Sequence, residues 1–374
     1  MNRKDFQQFA PNGMVNRGNR RSIQLCMEKA ETGQPVTLGF LGGSITQGSL
    51  ASSPETCYAH LVYQWWKRKF PKSAVSYINA GVGGTTSQFG VARVKEDLLA
   101  AKPDFIILEF SVNDGPTDFF EETYEGLVRT VLKSANHPAV LLLHNVRYDN
   151  GISAEERHLK IGRAYDLPCV SMKASLYPCV VSGLIRADEI SPDGLHPNDF
   201  GHSLIADTVA ACLEDIYLQP AAAQPPCSLL PEPVTKNRFE DSFRLRNYSY
   251  TPHCLGFRCD DRKQNSIQDC FKQGWMACKV GDAISFEFEG TGVAVQYRKS
   301  VLHPAPVAQA VLDGNPSSAV ILDGNFDETW GDCLFITTLA QDLPAGKHCL
   351  EIRITKAEPE PAAEFYLAAV LVSR

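Results

Sequence analysis

No two of the twelve cysteines, which run from Cys26 to Cys349, stand at the CxxC spacing of zinc or dithiol sites. Their density is also too low for a disulfide scaffold. The opening stretch MNRKDFQQFAPNGMVNRGNRRS lacks the apolar core of a secretory signal, so the expectation is a cytoplasmic protein with reduced thiols. No apolar run approaches the ~20 residues needed to span a bilayer. There is no basic excess either. The formal net charge is -7, which excludes an electrostatic footprint for nucleic acid or an anionic membrane surface. Three glycine motifs are missing as well. The stretch LGFLGGSITQGS (38–49) has no Walker lysine, neither GFLGGS nor GVGGTT has the GxGxxG spacing, and GGSIT is not a GxSxG elbow.

What is present is an ordinary globular balance, 44% hydrophobic and 21% charged, over 374 residues, enough for two or three cores. Residues 1–218 alternate strand-like runs with helical patterns. The runs are VTLGFLG (36–42), VSYINAG (75–81), DFIILEF (104–110), AVLLLHN (139–145) and LPCVSM (167–172). They are apolar on both faces, as strands of a covered parallel sheet are, and the alternation predicts an α/β domain of three layers. In ETCYAHLVYQWWKRKF one helical stripe carries Tyr58, Leu61, Val62, Trp65 and Trp66. Residues 219–237, rich in Pro and Ala, read as a linker or strap. From 238 to 374 the runs are short and alternating, and turn signals recur at the spacing of an antiparallel β-sandwich. The tetrapeptide LDGN occurs at 312–315 and 322–325 and reads as two Asp-Gly hairpin turns.

The serine in GGSITQG raises the chemical question. A serine hydroxyl attacks a carbonyl only if a base takes its proton and donors hold the developing oxyanion. Each requirement has a candidate at a strand end or in a loop. In SPDGLHPND, Asp193 and His196 stand three apart on a turn, where the carboxylate can accept the imidazole Nδ1–H and leave Nε2 free for Ser44. The glycines of INAGVGGTTS offer backbone N–H donors, and Asn113 in LEFSVNDG offers a side-chain donor. Taken singly, each is as well explained by an ordinary turn. Together they fall beyond the carboxyl ends of predicted strands, where open α/β sheets bind ligands.

In this order the blocks resemble the SGNH (GDSL-type) hydrolase superfamily over roughly residues 36–215. GGSITQG stands for the family's GDS turn, with Gly43 in place of Asp, and NAGVGGTTS, SVND and DGLHP follow. The resemblance implies an α/β/α sandwich with a parallel sheet. It makes Ser44 the nucleophile, His196 the base and Asp193 its orienter. The oxyanion hole is then the Ser44 and Gly84 N–H groups with the Asn113 amide, and no cofactor or metal is called for. With a β-sandwich following, the chain is similar to two-domain carbohydrate acetylesterases of mannan type, whose second domain resembles a carbohydrate-binding module. The implied activity is deacetylation of a mannan- or xylan-type oligomer. A lipase or thioesterase of the same superfamily, or a non-catalytic glycan-binding protein, are the alternatives.

Outside the four blocks, Asp114 is either a partner for a substrate hydroxyl or a structural turn carboxylate. Arg93 reads as a loop anchor, and His144 and His202 as packing residues. Trp330 lies in the acidic segment NFDETWGD, where an aromatic ring suits either a sugar face or the sandwich edge. Asp114 and Trp330 are therefore the candidate substrate contacts. The oxygens of DGNFDE alternate as in calcium loops, but the closing Glu is missing.

Overall fold

Strands buried on both faces must be covered by helices on both sides, and the apolar runs build such a sheet. The computed structural model describes residues 1–220 and 230–374. Its contacts divide the chain into two units, Met1–Asn237 and Arg238–Arg374.

Among the described residues the first unit holds six strands: β1 (Met14–Asn16), β2 (Val36–Gly42), β3 (Val75–Gly81), β4 (Phe105–Glu109), β5 (Ala139–His144) and β6 (Cys169–Ser171). Their spatial order is β1-β6-β5-β4-β2-β3. The sheet is mixed and not wholly parallel, because β1 runs antiparallel to β6 at one edge. Helices Arg21–Glu31, Tyr58–Lys69 and Asp199–Leu218 cover one face, packing on Leu38, Phe40, Ile107, Leu141 and Leu143. Helices Ser87–Asp97, Asp118–Leu132 and Glu155–Ala164 form the opposite layer. From β2 the chain steps outward to β3 and then returns to the other side of β2 as β4. That reversal brings the loops after β2, β3 and β4 to one crevice at the carboxyl edge.

The second unit is a sandwich of two antiparallel sheets. The five-stranded sheet runs Val320–Asp323, Val307–Leu312, Lys347–Lys356, Ala283–Glu289 and His253–Leu255. The six-stranded sheet is built around Phe365–Ser373 and Gly292–Lys299, with Trp275–Ala277 among its shorter members. Period-2 burial supplies the core: Ile284, Phe286 and Phe288 from one sheet meet Val293, Val295 and Tyr297 from the other. Along Phe365–Ser373 the parity changes. Tyr297 pairs with Leu367 and Gln296 with Ala369, so Ala368 is a one-residue bulge. Phe365 and Leu367 before it, and Val370 and Val372 after it, therefore all face the core.

The second LDGN reading needs correction. The first does lie in a hairpin connection, between Val307–Leu312 and Val320–Asp323, though one longer than two residues, while the second joins no hairpin. Asp313 and Gly314 do adopt left-handed backbone (φ 54° and 65°), but the chain continues through a 3-10 turn, Pro316–Ser318, before the next strand. In the second copy Asp323 ends a strand, and Asn325 is spent on a neighbouring loop, accepting from Ala305 N–H at 2.8 Å and donating to its carbonyl at 3.0 Å. Of the strap, residues 221–229 lie outside the described residues. Val234 and Thr235 belong with the first unit, donating their N–H groups to Glu125 at 2.7 and 2.8 Å. No described helix is long and apolar enough to cross a membrane.

Candidate active site

Gly42 ends β2, and the chain folds at once into a single helical turn, Ser44–Gln47, so Ser44 sits at the strand's carboxyl edge. Its side chain is nearly buried (6% exposed). The partner comes from the loop before Asp199–Leu218. Asn198 caps that helix by accepting from Gly201 N–H at 3.0 Å, and Pro197 precedes it, so the chain arrives extended over the sheet edge. Ser44 Oγ–H donates to His196 Nε2 at 2.9 Å, and His196 Nδ1–H donates to Asp193 Oδ2 at 2.6 Å. The second Asp193 oxygen accepts from His196 N–H at 2.7 Å and Leu195 N–H at 2.9 Å. Partial burial alone would raise this carboxyl, but the His196 side chain and these backbone donors outweigh it and hold the group at about 2. An ionised carboxylate therefore faces the imidazole at all physiological pH. Gly194 permits the turn: its φ is 73°, and a Cβ there would lie 2.6 Å from Asp149 Cβ.

The structure also brings Asn113 and the glycine turn to Ser44. Gly83 approaches the Ser44 Cβ, and Gly84 follows with φ 67°. Asn113 lies in the turn after β4, its N–H donating to Phe110 O at 3.0 Å. Its amide packs on Gly43. A Cβ at position 43 would stand 2.2 Å from Asn113 Oδ1 and 2.9 Å from Cγ. In this chain the Asn113 amide occupies the space that a side chain at position 43 would take. Oδ1 is buried inward, which leaves Nδ2 as the outward end.

Asp114 is not a substrate contact. Its side chain is wholly buried, with Oδ1 accepting from Ser87 N–H at 2.9 Å and Oδ2 from His158 Nε2 at 3.0 Å. It stabilises the first turn of helix Ser87–Asp97 and ties that helix to Glu155–Ala164. Trp330 lies in the second unit, 62% exposed, its ring edge-on to Phe326 at 5.1 Å. Trp275 is fully buried. His202 packs as read: its Nδ1 accepts from Tyr58 N–H at 3.3 Å, and burial pushes it down to about 4. His144 is buried too, and burial with His158 nearby holds it well below the usual imidazole range.

Three further residues frame the site without having been singled out in the sequence. Asn79 donates to Thr46 O at 2.7 Å and accepts from Gly81 N–H at 2.9 Å, and Gln47 Oε1 accepts from Gly83 N–H. Together they lace the nucleophile turn to the glycine turn. An Asn inside the apolar run VSYINAG was the available signal. Glu109, wholly buried at the end of β4, accepts from Ser111 N–H and Oγ–H, both at 3.1 Å. Burial pushes this carboxyl up to about 7 against those bonds. Among the described residues no cluster of three His, Cys, Asp or Glu side chains is placed to hold a metal.

Comparison with known proteins is consistent along the chain. A GDSL-like Lipase/Acylhydrolase family model matches residues 40–204. Thioesterase 1/protease 1/lysophospholipase L1 of Escherichia coli K12 is 28% identical over 190 residues, 48% of this chain and 84% of that protein. A solved two-domain esterase (CEX) active on acetylated mannans is 50% identical, with a TM-score of 0.95, covering 97% of this chain and 98% of its own. Such an esterase co-crystallised with mannopentaose gives a TM-score of 0.94 at 50% identity over 97% of both chains.

Proposed function

Since the chain belongs to the GDSL-like lipase/acylhydrolase (SGNH) family, we propose that it is a serine esterase removing O-acetyl groups from a mannan-type oligosaccharide. The single observation that carries the chemistry is the continuous Ser44–His196–Asp193 hydrogen-bond chain, 2.9 and 2.6 Å, at the carboxyl edge of the sheet. His196 Nε2 takes the Ser44 proton as Oγ attacks the acetyl carbonyl. The tetrahedral oxyanion is held by the Ser44 and Gly84 N–H groups and by Asn113 Nδ2. His196 then gives its proton to the departing sugar oxygen. Water, deprotonated by the same imidazole, attacks the acetyl-enzyme, and acetate leaves. Asp193 keeps Nδ1 protonated throughout and stabilises the imidazolium. The chemistry calls on no cofactor.

The substrate class comes from likeness over the whole chain to the esterase active on acetylated mannans. The Escherichia coli relative, named as a thioesterase, protease and lysophospholipase, matches over only 48% of this chain. We therefore favour a short acyl group on a sugar over a long acyl chain. We assign glycan recognition to the second unit, with exposed Trp330 as its contact. Free thiols at all the described cysteines fit a reducing, cytoplasmic setting. The test is incubation with acetylated manno- and xylo-oligosaccharides, following acetate release and the lost acetyl positions by NMR. Chromogenic acetyl and long-chain esters are run beside them. Acetyl loss from manno-oligosaccharides that Ser44→Ala does not catalyse is the expected result. Faster turnover of the long-chain ester would replace this reading with the lipase or thioesterase one.

A further inference from the structure

We propose that Arg93 is a positioning residue that sets the geometry of the oxyanion site, an inference that rests on the roles given to Ser44 and Gly84 above. Arg93 lies in helix Ser87–Asp97 and is 0% exposed. One nitrogen, Nη2, donates to two carbonyls on two different strands: Ala80 O of β3 at 2.6 Å and Gly42 O of β2 at 3.2 Å. Nη1 faces Asp97 Oδ2 at 3.3 Å, one helical turn on. Gly42 O also accepts from Val82 N–H at 3.1 Å, so the two strand ends are drawn to a single point.

Both backbone oxyanion donors leave from that point. Ser44 is two residues beyond Gly42, and Gly84 is four beyond Ala80. The chain between them has no slack, because a Cβ on Gly81 would stand 2.2 Å from Gln47 N. A shift at the strand ends therefore passes directly into the separation of the two N–H groups. Transition-state stabilisation depends on such placement to a fraction of an ångström. What the guanidinium offers is a planar group whose Nη2 reaches both carbonyls while Nη1 is held toward Asp97, so the donor to the two strand ends is fixed in orientation. Lysine at 93 keeps the charge and loses the fork.

The experiment compares wild type, Arg93→Lys, Arg93→Met and Ser44→Ala on a chromogenic acetyl ester. Rates are divided by the active sites titrated with a fluorophosphonate, and melting temperatures are measured alongside. We expect kcat per titrated site to fall about tenfold or more in both Arg93 variants, with KM within about threefold, since ground-state binding does not use the oxyanion donors. Arg93→Lys retains the more activity. A wild-type kcat per titrated site in either variant overturns the inference, however far its melting temperature falls. If neither variant folds, a crystal structure of phosphonylated wild type decides. The phosphoryl oxygen must lie on the Ser44 and Gly84 N–H groups with Nη2 still on both carbonyls, and a guanidinium off either carbonyl overturns the proposal. Failure of the underlying reading looks different: Ser44→Ala stays active, or the phosphonate attaches elsewhere.

Discussion

The two units differ in how many polar groups they bury and in where they bury them. In the first, Arg93, Glu109, Ser111, Asp114, His144, Asn145 and His158 are all buried, most of them at or near the carboxyl ends of β4 and β5. In the second, inward positions such as Ile284, Phe286, Phe288, Leu350 and Ile352 alternate with solvated ones, and a large aromatic, Trp330, is left in water. Burying a polar group costs stability unless its bonds are replaced, so a fold that does so repeatedly at one edge is fixing geometry there. The sandwich buries fewer, among them Arg244, Arg246, Asp260 and Gln296 in and beside its six-stranded sheet, and leaves more of its aromatic surface to solvent. Substitutions in the first unit should therefore change turnover of every ester, and those in the second only the choice among glycans.

The largest effect expected is at Ser44. Ser44→Ala should remove turnover of small and large acetyl esters alike, leaving at most the residual catalysis of an oxyanion site without a nucleophile. The melting temperature should hardly move, since little packing is lost at this turn. Near-wild-type esterase activity in that protein would sink the division of labour altogether. Next comes the amide beside it. Asn113→Ala should lower kcat by about 10²-fold with a smaller change in KM. Gly43→Ala should act in the same direction with Asn113 intact, because its Cβ displaces the amide. An effect of either variant on KM alone would make Asn113 a ground-state contact.

Glu109 sharpens the comparison through stability. Burial raises its carboxyl from an ordinary 4.5 to about 7 in the folded protein. Between those values the folded state holds a proton that the unfolded chain releases, so stability falls as pH rises through the window and levels off above it. Glu109→Gln has nothing to titrate there. Its advantage over wild type should grow from pH 4.5 to 7 and then plateau, the pH-dependent part amounting to about 3 kcal/mol. Urea unfolding of both proteins at either end of that window measures it. A difference constant with pH would mean that the buried carboxyl is ionised throughout.

Legibility in the sequence followed the range of the forces involved. β2 and β3 have bounds, 36–42 and 75–81, that match the structure: β2 is buried along nearly its whole length, and β3, a half-buried edge strand, is marked by its apolar and aromatic residues and its closing Ala-Gly. The turns carrying Ser44, Asn113 and Asp193–His196 were readable for a similar reason, since each is a short motif tied to a strand end or helix cap. β1 was not. Three residues at a sheet edge, none of them buried, have no periodicity to read. Asp114 was ambiguous because its fate depends on His158, 44 residues away, and not on its own turn. Arg93 sat on a helix face whose partners, the Gly42 and Ala80 carbonyls, are backbone atoms with no mark in the sequence. Side chains that act on backbone from a distant element are where sequence reasoning stops.

The smallest effect expected is at Trp330, and it bears most directly on the second unit. The ring is exposed, edge-on to Phe326, in a segment with Asp327 and Glu328 beside it. An aromatic held in water by a neighbour has an open face for the apolar side of a sugar. Binding energy of that kind helps only a substrate that has a sugar unit to place there, and a small acetate has none. Trp330→Ala should therefore lower kcat/KM on acetylated oligosaccharides by about 1–2 kcal/mol and leave a chromogenic acetate nearly unchanged. Shortening the oligosaccharide should shrink the penalty step by step until it vanishes. Equal losses on large and small substrates, with a normal melting curve, would make the ring part of the catalytic centre and erase the contrast between the units. No loss on either would leave the ring without a role in recognition, and the search for the glycan contact would move to other exposed faces of the sandwich.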